Sequence, residues 1–89
     1  MIKSSITISN KLGLHARASA KLTKLAGSFR SEVHLSRAGR RINAKSIMGV
    51  MMLAAGLGAE VEIETDGPDE QEAMQALREL IDAKFGEGQ

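Results

Sequence analysis

Three short segments alternate apolar and polar side chains with a period of two, and that alternation limits the fold more than any other feature of the chain. Ile2, Ile6 and Ile8 share one parity with Ser4, opposite Lys3, Ser5, Thr7 and Ser9. Val33 and Leu35 alternate with Glu32, His34 and Ser36, and Val61, Ile63 and Thr65 alternate with Glu60, Glu62 and Glu64. Successive side chains of a strand point to opposite faces, so each segment reads as a strand that buries one face only. A fourth, shorter strand follows "RAG", where Ile42 and Ala44 alternate with Arg41 and Asn43, and Gly39 between the two runs predicts a hairpin. Strands of a parallel core are buried on both faces and read as continuous apolar runs, so a doubly wound parallel sheet does not fit.

The intervening segments change period. From Ala16 to Ala26, alanine, leucine and lysine dominate, with Ala18, Leu22, Leu25 and Ala26 at helical spacing and Gly27 as the expected stop. "SIMGVMMLAAG" reads as a short helix capped by Ser46, weakened at Gly49 and closed at Gly56. After "DGPD", Asp69 is the expected cap and Glu72 its capping-box partner. Ala73, Leu77, Leu80 and Lys84, joined by Met74 and Ile81, form one stripe that Gly86 ends. The order β-α-β-β-α-β-α predicts an α+β fold in which helices cover one face of an antiparallel sheet. The final residues, "GEGQ", are expected to be a tail.

At 89 residues the chain makes a single domain, 1–89, with one modest core. Twelve basic and eleven acidic residues leave a net charge of +1, so no overall field draws it to nucleic acid or an anionic membrane. Tyrosine and tryptophan are absent and only Phe29 and Phe85 are aromatic apart from histidine, which removes the stacking platform of an RNA-binding sheet. No apolar run approaches the roughly 18 residues that span a bilayer, and the first ten residues lack a signal-peptide core. The absence of cysteine excludes a disulfide framework, a thiolate zinc site and a redox thiol, and it suits a cytoplasmic location.

Local chemistry gathers in "GLHARASAK". If a helix starts at Ala16, His15 stands at its cap, beside backbone N–H groups with no intrahelical partner. Those groups and the positive end of the helix dipole favour an anion such as phosphate. Arg17 adds a planar guanidinium able to fork onto phosphate oxygens. A nucleophilic imidazole that carries a phosphoryl group would use both. The same triplet also fits a capping histidine and a solvated arginine. Ser46 reads first as an N-cap, and a phosphate there would be tolerated by the fold. The helix it opens is apolar nearly all round. Val50 and Leu53 are expected in the core, leaving Ile47, Met48, Met51 and Met52 as a pliable exposed patch suited to partner docking. Arg37, Arg40 and Arg41 read as a solvated turn, His34 as a solvent-facing strand residue, and Glu60, Glu62 and Glu64 as a solvated strand face.

Taken in order, "GLHARASAKL", "AKSIMGVMML" and "DGPDEQEAM" closely resemble the HPr family, the histidine-containing phosphocarriers of the bacterial phosphoenolpyruvate-dependent phosphotransferase system. The resemblance covers essentially the whole chain. It implies an open-faced β-sandwich, a four-stranded antiparallel sheet covered on one face by three helices. It implies that His15 accepts a phosphoryl group at Nδ1 from enzyme I and passes it to enzyme IIA domains, with Arg17 as the matching arginine and no metal or organic cofactor. It also implies that Ser46 is the regulatory site of an HPr kinase/phosphorylase, in bacteria that have one, and that Ile47, Met48, Met51 and Met52 belong to the docking face. A monomer is expected. Many family members carry proline after the arginine, where this chain has Ala18. "KSIMGV" is similar also to the nitrogen-related NPr branch, and a regulatory adaptor that transfers no phosphate is the other alternative.

Overall fold

The computed structural model describes residues 1–86. Its elements are β1 (Ile2–Thr7), α1 (Ala16–Gly27), β2 (Glu32–Arg37), β3 (Arg40–Asn43), α2 (Ile47–Met52), β4 (Glu60–Asp66) and α3 (Glu70–Asp82), followed by a 3-10 turn, Lys84–Gly86. The four strands form one antiparallel sheet in the order β1-β4-β2-β3. Ile6, Val33, Leu35, Val61 and Ile63 line one face and meet Ala18, Leu22 and Ala26 of α1, Val50 of α2, and Met74, Leu77 and Ile81 of α3 in a single core. The period-two strands therefore do bury one face, and the helices cover it. The hairpin turns on Ala38 and Gly39, whose φ values of 51° and 84° match the primed two-residue turn that follows strand twist.

The ends of the helices depart from expectation in four places. Gly27 is the last residue of α1 rather than its stop, and Ser28 closes the helix, its N–H and its Oγ both donating to the Leu25 carbonyl, at 3.0 and 2.6 Å. α2 finishes at Met52, well before Gly56, because Ala54 turns left-handed (φ 52°) and sends the chain toward the loop before α1. α3 finishes at Asp82 instead of reaching Gly86. Lys84 and Phe85, both at φ 56°, turn the chain back and drop the Phe85 ring into the core. Burial of an aromatic ring offsets a left-handed cost of roughly 1–2 kcal/mol per residue. Of the expected tail, Gly86 lies in that turn and residues 87–89 lie outside the described residues.

The fourth departure is at the start of α3. Asp69 occupies the N-cap position, yet its carboxylate makes no bond to its own helix. It accepts instead from the Arg30 and Ser31 N–H groups, both at 2.9 Å, and from Ser31 Oγ. The Glu72 capping box is thus not built, and Glu70 takes the local role by accepting from Gly67 N at 3.0 Å. The cause is packing. Ser31 is fully buried and its donors need a partner, while Gly67 presses against it so closely that a Cβ would lie 2.6 Å from Ser31 Cα. Hydrogen bonds from the Ser31 hydroxyl, then from the Arg30 and Ser31 backbone, hold the Asp69 carboxyl at about 2.

On the uncovered face, Glu64 is not the solvated residue expected. It is buried beneath Arg41, whose Nη2 lies 2.6 Å from its carboxylate, and Lys3 at 4.0 Å. The Arg41 hydrogen bond holds the Glu64 carboxyl below its ordinary range.

Candidate functional site

The loop from Asn10 to His15 is built from the inside. Asn10 is fully buried and its Nδ2 donates to the Gly13 carbonyl at 2.8 Å, while Gly13 N donates back to the Asn10 carbonyl at 3.2 Å. Gly13 sits at φ 66°, and a Cβ there would lie 2.4 Å from the Ala55 carbonyl oxygen. Only glycine fits. Leu14 is buried, its N–H donates to that same Ala55 oxygen at 2.8 Å, and its own carbonyl accepts from the buried Ser19 Oγ at 3.0 Å.

These contacts deliver His15 to the N-cap of α1. Its backbone is extended (φ −75°, ψ 179°), its carbonyl accepts from Ser19 N at 2.8 Å, and its imidazole makes no cap bond to the helix. His15 is half-buried, Arg17 is exposed in the first turn, and that turn carries no acidic residue. An anion at this terminus meets backbone N–H groups, a positive dipole end and a guanidinium, with no carboxylate of the first turn to repel it. Ala18 is helical and fully buried, so alanine at this position leaves α1 intact.

The strap at residues 53–55 joins this loop to α2. Ser46 caps α2 as expected, its Oγ accepting from Gly49 N at 3.2 Å. Gly49 is explained by close approach: a Cβ would lie 3.2 Å from the Asn43 carbonyl of β3. Val50 and Leu53 are buried, and Ile47, Met48, Met51 and Met52 are exposed. Because Ala55 accepts from Leu14, the end of α2 and the His15 loop are held as neighbours. Arg37 and Arg40 do not form the expected solvated turn. Arg37 Nη1 donates to the Leu53 carbonyl at 3.1 Å and Arg40 Nη1 to the Met52 carbonyl at 2.9 Å, satisfying acceptors at the negative end of α2.

Sequence reasoning singled out His15, Arg17, Ser46 and the four apolar residues, and missed Asn10, Gly13, Ser19, Ala55, Arg37 and Arg40, which the structure packs around them. The spacing of Asn10 and Gly13 carries a turn signal; a carbonyl such as that of Ala55 leaves none. Among the described residues no three His, Asp or Glu side chains gather as metal ligands, and no helix is long and apolar enough to cross a membrane.

Comparison with known proteins agrees with this geometry. Residues 2–83 match the family model of the phosphotransferase-system HPr component phosphorylation site. The chain is 68% identical to the phosphocarrier protein HPr of Cupriavidus necator over the whole length of both. It superposes on HPr-C-His of Thermoanaerobacter tengcongensis with a TM-score of 0.95 at 44% identity, covering 98% of each chain. It also matches an HPr dimer from that organism, with a TM-score of 0.79 at 44% identity, covering 98% of this chain and 100% of the other. A half-buried histidine at a helix N-terminus, the open-faced fold around it and full-length likeness to these phosphocarriers converge: the chain belongs to the HPr family, the phosphocarriers of the phosphotransferase system.

Proposed function

We propose that His15 is the phosphoryl acceptor, taking the group from phosphorylated enzyme I and passing it to enzyme IIA domains. The observation that carries this reading is the placement of His15 at the N-cap of α1, half-buried, with Arg17 exposed in the same turn. Phosphoryl transfer needs an in-line nucleophile and stabilised charge on the moving oxygens more than it needs covalent machinery. The imidazole supplies the first; the helix N–H groups and Arg17 supply the second. The exposed face of Ile47, Met48, Met51 and Met52 docks the partners, since the 53–55 strap sets it beside the His15 loop. Ser46, exposed at the edge of that face, is the regulatory phosphorylation site. A dianion there adds charge and desolvation cost to docking while the helix N-terminus accommodates it. The working unit is a cytoplasmic monomer.

The test is intact-protein mass spectrometry after incubation with phosphoenolpyruvate and active enzyme I, on wild type and His15→Ala. One acid-labile phosphoryl adduct is expected on wild type and none on His15→Ala. An adduct that survives in His15→Ala overturns the assignment of His15 as the acceptor, and none on wild type overturns the carrier reading and leaves a regulatory adaptor as the function.

A further inference from the structure

Of the five methionines, three lie together on or near the surface of α2: Met48 is 72% exposed, Met52 57% and Met51 41%. Met74 is 6% exposed in the core, and Met1, at 64%, belongs to another surface, where its ammonium lies between Glu70 and Asp66. The chain has no cysteine, tryptophan or tyrosine, so a mild oxidant meets no thiol and the exposed thioethers are its first target.

Met52 has an additional setting. It lines a surface cavity of about 280 Å³ with Arg37, Ala38, Arg40, Leu53 and Ala54. Both guanidiniums there are anchored through one nitrogen, Arg37 to the Leu53 carbonyl and Arg40 to the Met52 carbonyl. A guanidinium carries five N–H donors, so each keeps others to offer. A thioether accepts hydrogen bonds poorly and a sulfoxide accepts them well. The cavity is thus better matched to oxidised Met52 than to reduced Met52.

We propose that Met48, Met51 and Met52 form a reversible oxidation site that gates partner docking, with the Arg37 and Arg40 cavity receiving the sulfoxide of Met52. The inference rests on the reading of this face as the docking surface. The oxidant is a peroxide: its O–O bond breaks, one oxygen bonds to Sδ, the sulfur loses two electrons and the other oxygen leaves as water. A methionine sulfoxide reductase reverses the step, two thiols becoming a disulfide as the oxygen departs as water. Each sulfoxide sets a hydrated dipole in an apolar face, and docking must then strip that water. His15 and its loop are untouched.

The experiment treats the full chain with hydrogen peroxide until peptide mapping shows one added oxygen at each of Met48, Met51 and Met52. Phosphoryl transfer to His15 is then timed from enzyme I and from phosphoramidate, a small donor that needs no docking. Conversion at the three sites is expected well before Met74, with a fall of about tenfold or more in kcat/KM from enzyme I, carried by KM. The phosphoramidate rate is expected to hold, and reductase treatment to restore the enzyme I rate. A variant with Met48→Leu, Met51→Leu and Met52→Leu, compared only with its own untreated rate, is expected to be insensitive to peroxide. In wild type the methyl resonance of oxidised Met52 is expected to be shifted by the cavity, and in Arg37→Gln/Arg40→Gln to move to the free sulfoxide position. An undiminished enzyme I rate after full conversion, equal loss with phosphoramidate, or loss persisting in the leucine variant overturns the proposal. Untreated protein that accepts nothing from active enzyme I overturns the docking reading itself, and this inference with it.

Discussion

α1 and α2 begin alike and spend their caps differently. Both N-cap residues have extended backbones, His15 at φ −75° and Ser46 at φ −114°. Ser46 gives its side chain to its own helix by accepting from Gly49 N, whereas the imidazole of His15 makes no such bond. The support for His15 comes from behind, through Asn10, Gly13, Leu14, Ser19 and Ala55. A residue that caps its helix and the residue proposed as the phosphoryl acceptor therefore occupy the same position on two helices. What separates them is the cap bond itself: the Ser46 side chain makes one to its own helix and the His15 side chain does not.

The sharpest way to break that contrast is His15→Ala. Phosphoryl acceptance is expected to vanish with the fold retained, because the first turn of α1 is held through the His15 backbone, whose carbonyl accepts from Ser19 N. Thermal unfolding beside intact-mass analysis checks both, and a large loss of stability would show that the imidazole is part of the scaffold.

Next in size is Gly13→Ala. Left-handed strain costs roughly 1–3 kcal/mol, and the clash with the Ala55 oxygen adds to it. Gly39→Ala is the control. Its φ of 84° is also left-handed, but a Cβ there meets nothing within 4 Å. Gly13→Ala is expected to lose more stability in denaturant titration and to slow phosphoryl transfer, and Gly39→Ala to leave transfer unchanged. Equal losses at the two sites would mean that the Ala55 contact does not hold the loop.

Ser46→Ala isolates the other half of the comparison. Loss of the cap is expected to cost about 0.5–1 kcal/mol, the low end for an exposed cap, with transfer through His15 retained. Urea unfolding gives the first number, and a loss below error would place the capping energy in the backbone as at α1.

Smallest is the effect of Asp69, the cap residue whose carboxylate serves a different element. Its folded carboxyl, at about 2, lies below the ordinary 3.8 of the unfolded chain. A depressed carboxylate stabilises the fold fully above the unfolded value, and that contribution is lost as pH falls from about 4 toward about 2. Asp69→Asn is expected to remove this part of the acid-unfolding slope. An unchanged slope would assign acid sensitivity elsewhere, with Glu64 beneath Arg41 as the next carboxylate to test.

Much of the molecule was legible from residue order because its signals are local. The alternation of Val61, Ile63 and Thr65 requires neighbours on one face only, and all three are buried. Val50 and Leu53 were expected in the core and the methionines of α2 outside it, and so they lie. The failures share one cause: a polar side chain can satisfy a partner far away in sequence. Asp69 reaches across to Ser31, Arg37 and Arg40 to the end of α2, and Arg41 to Glu64. Local rules offered each a nearer role, a cap or a solvated turn, and tertiary packing supplied a better partner. Phe85 departs for another tertiary reason, since core burial overrode the helical pattern that ran toward Gly86.

For this protein the sequence by itself determined the set of strands and helices, the covered face of the sheet, and which histidine, arginine and serine stand as candidates for the chemistry. Periodicity and capping preference act within a few residues and so survive in one dimension. Only the tertiary structure decided that the carbonyl of Ala55 meets Leu14, setting the His15 loop against the methionine face. It also decided that two hairpin arginines close the end of α2. Backbone carbonyls are the same in every residue, so the acceptor that places the His15 loop becomes visible only once the chain is folded around it.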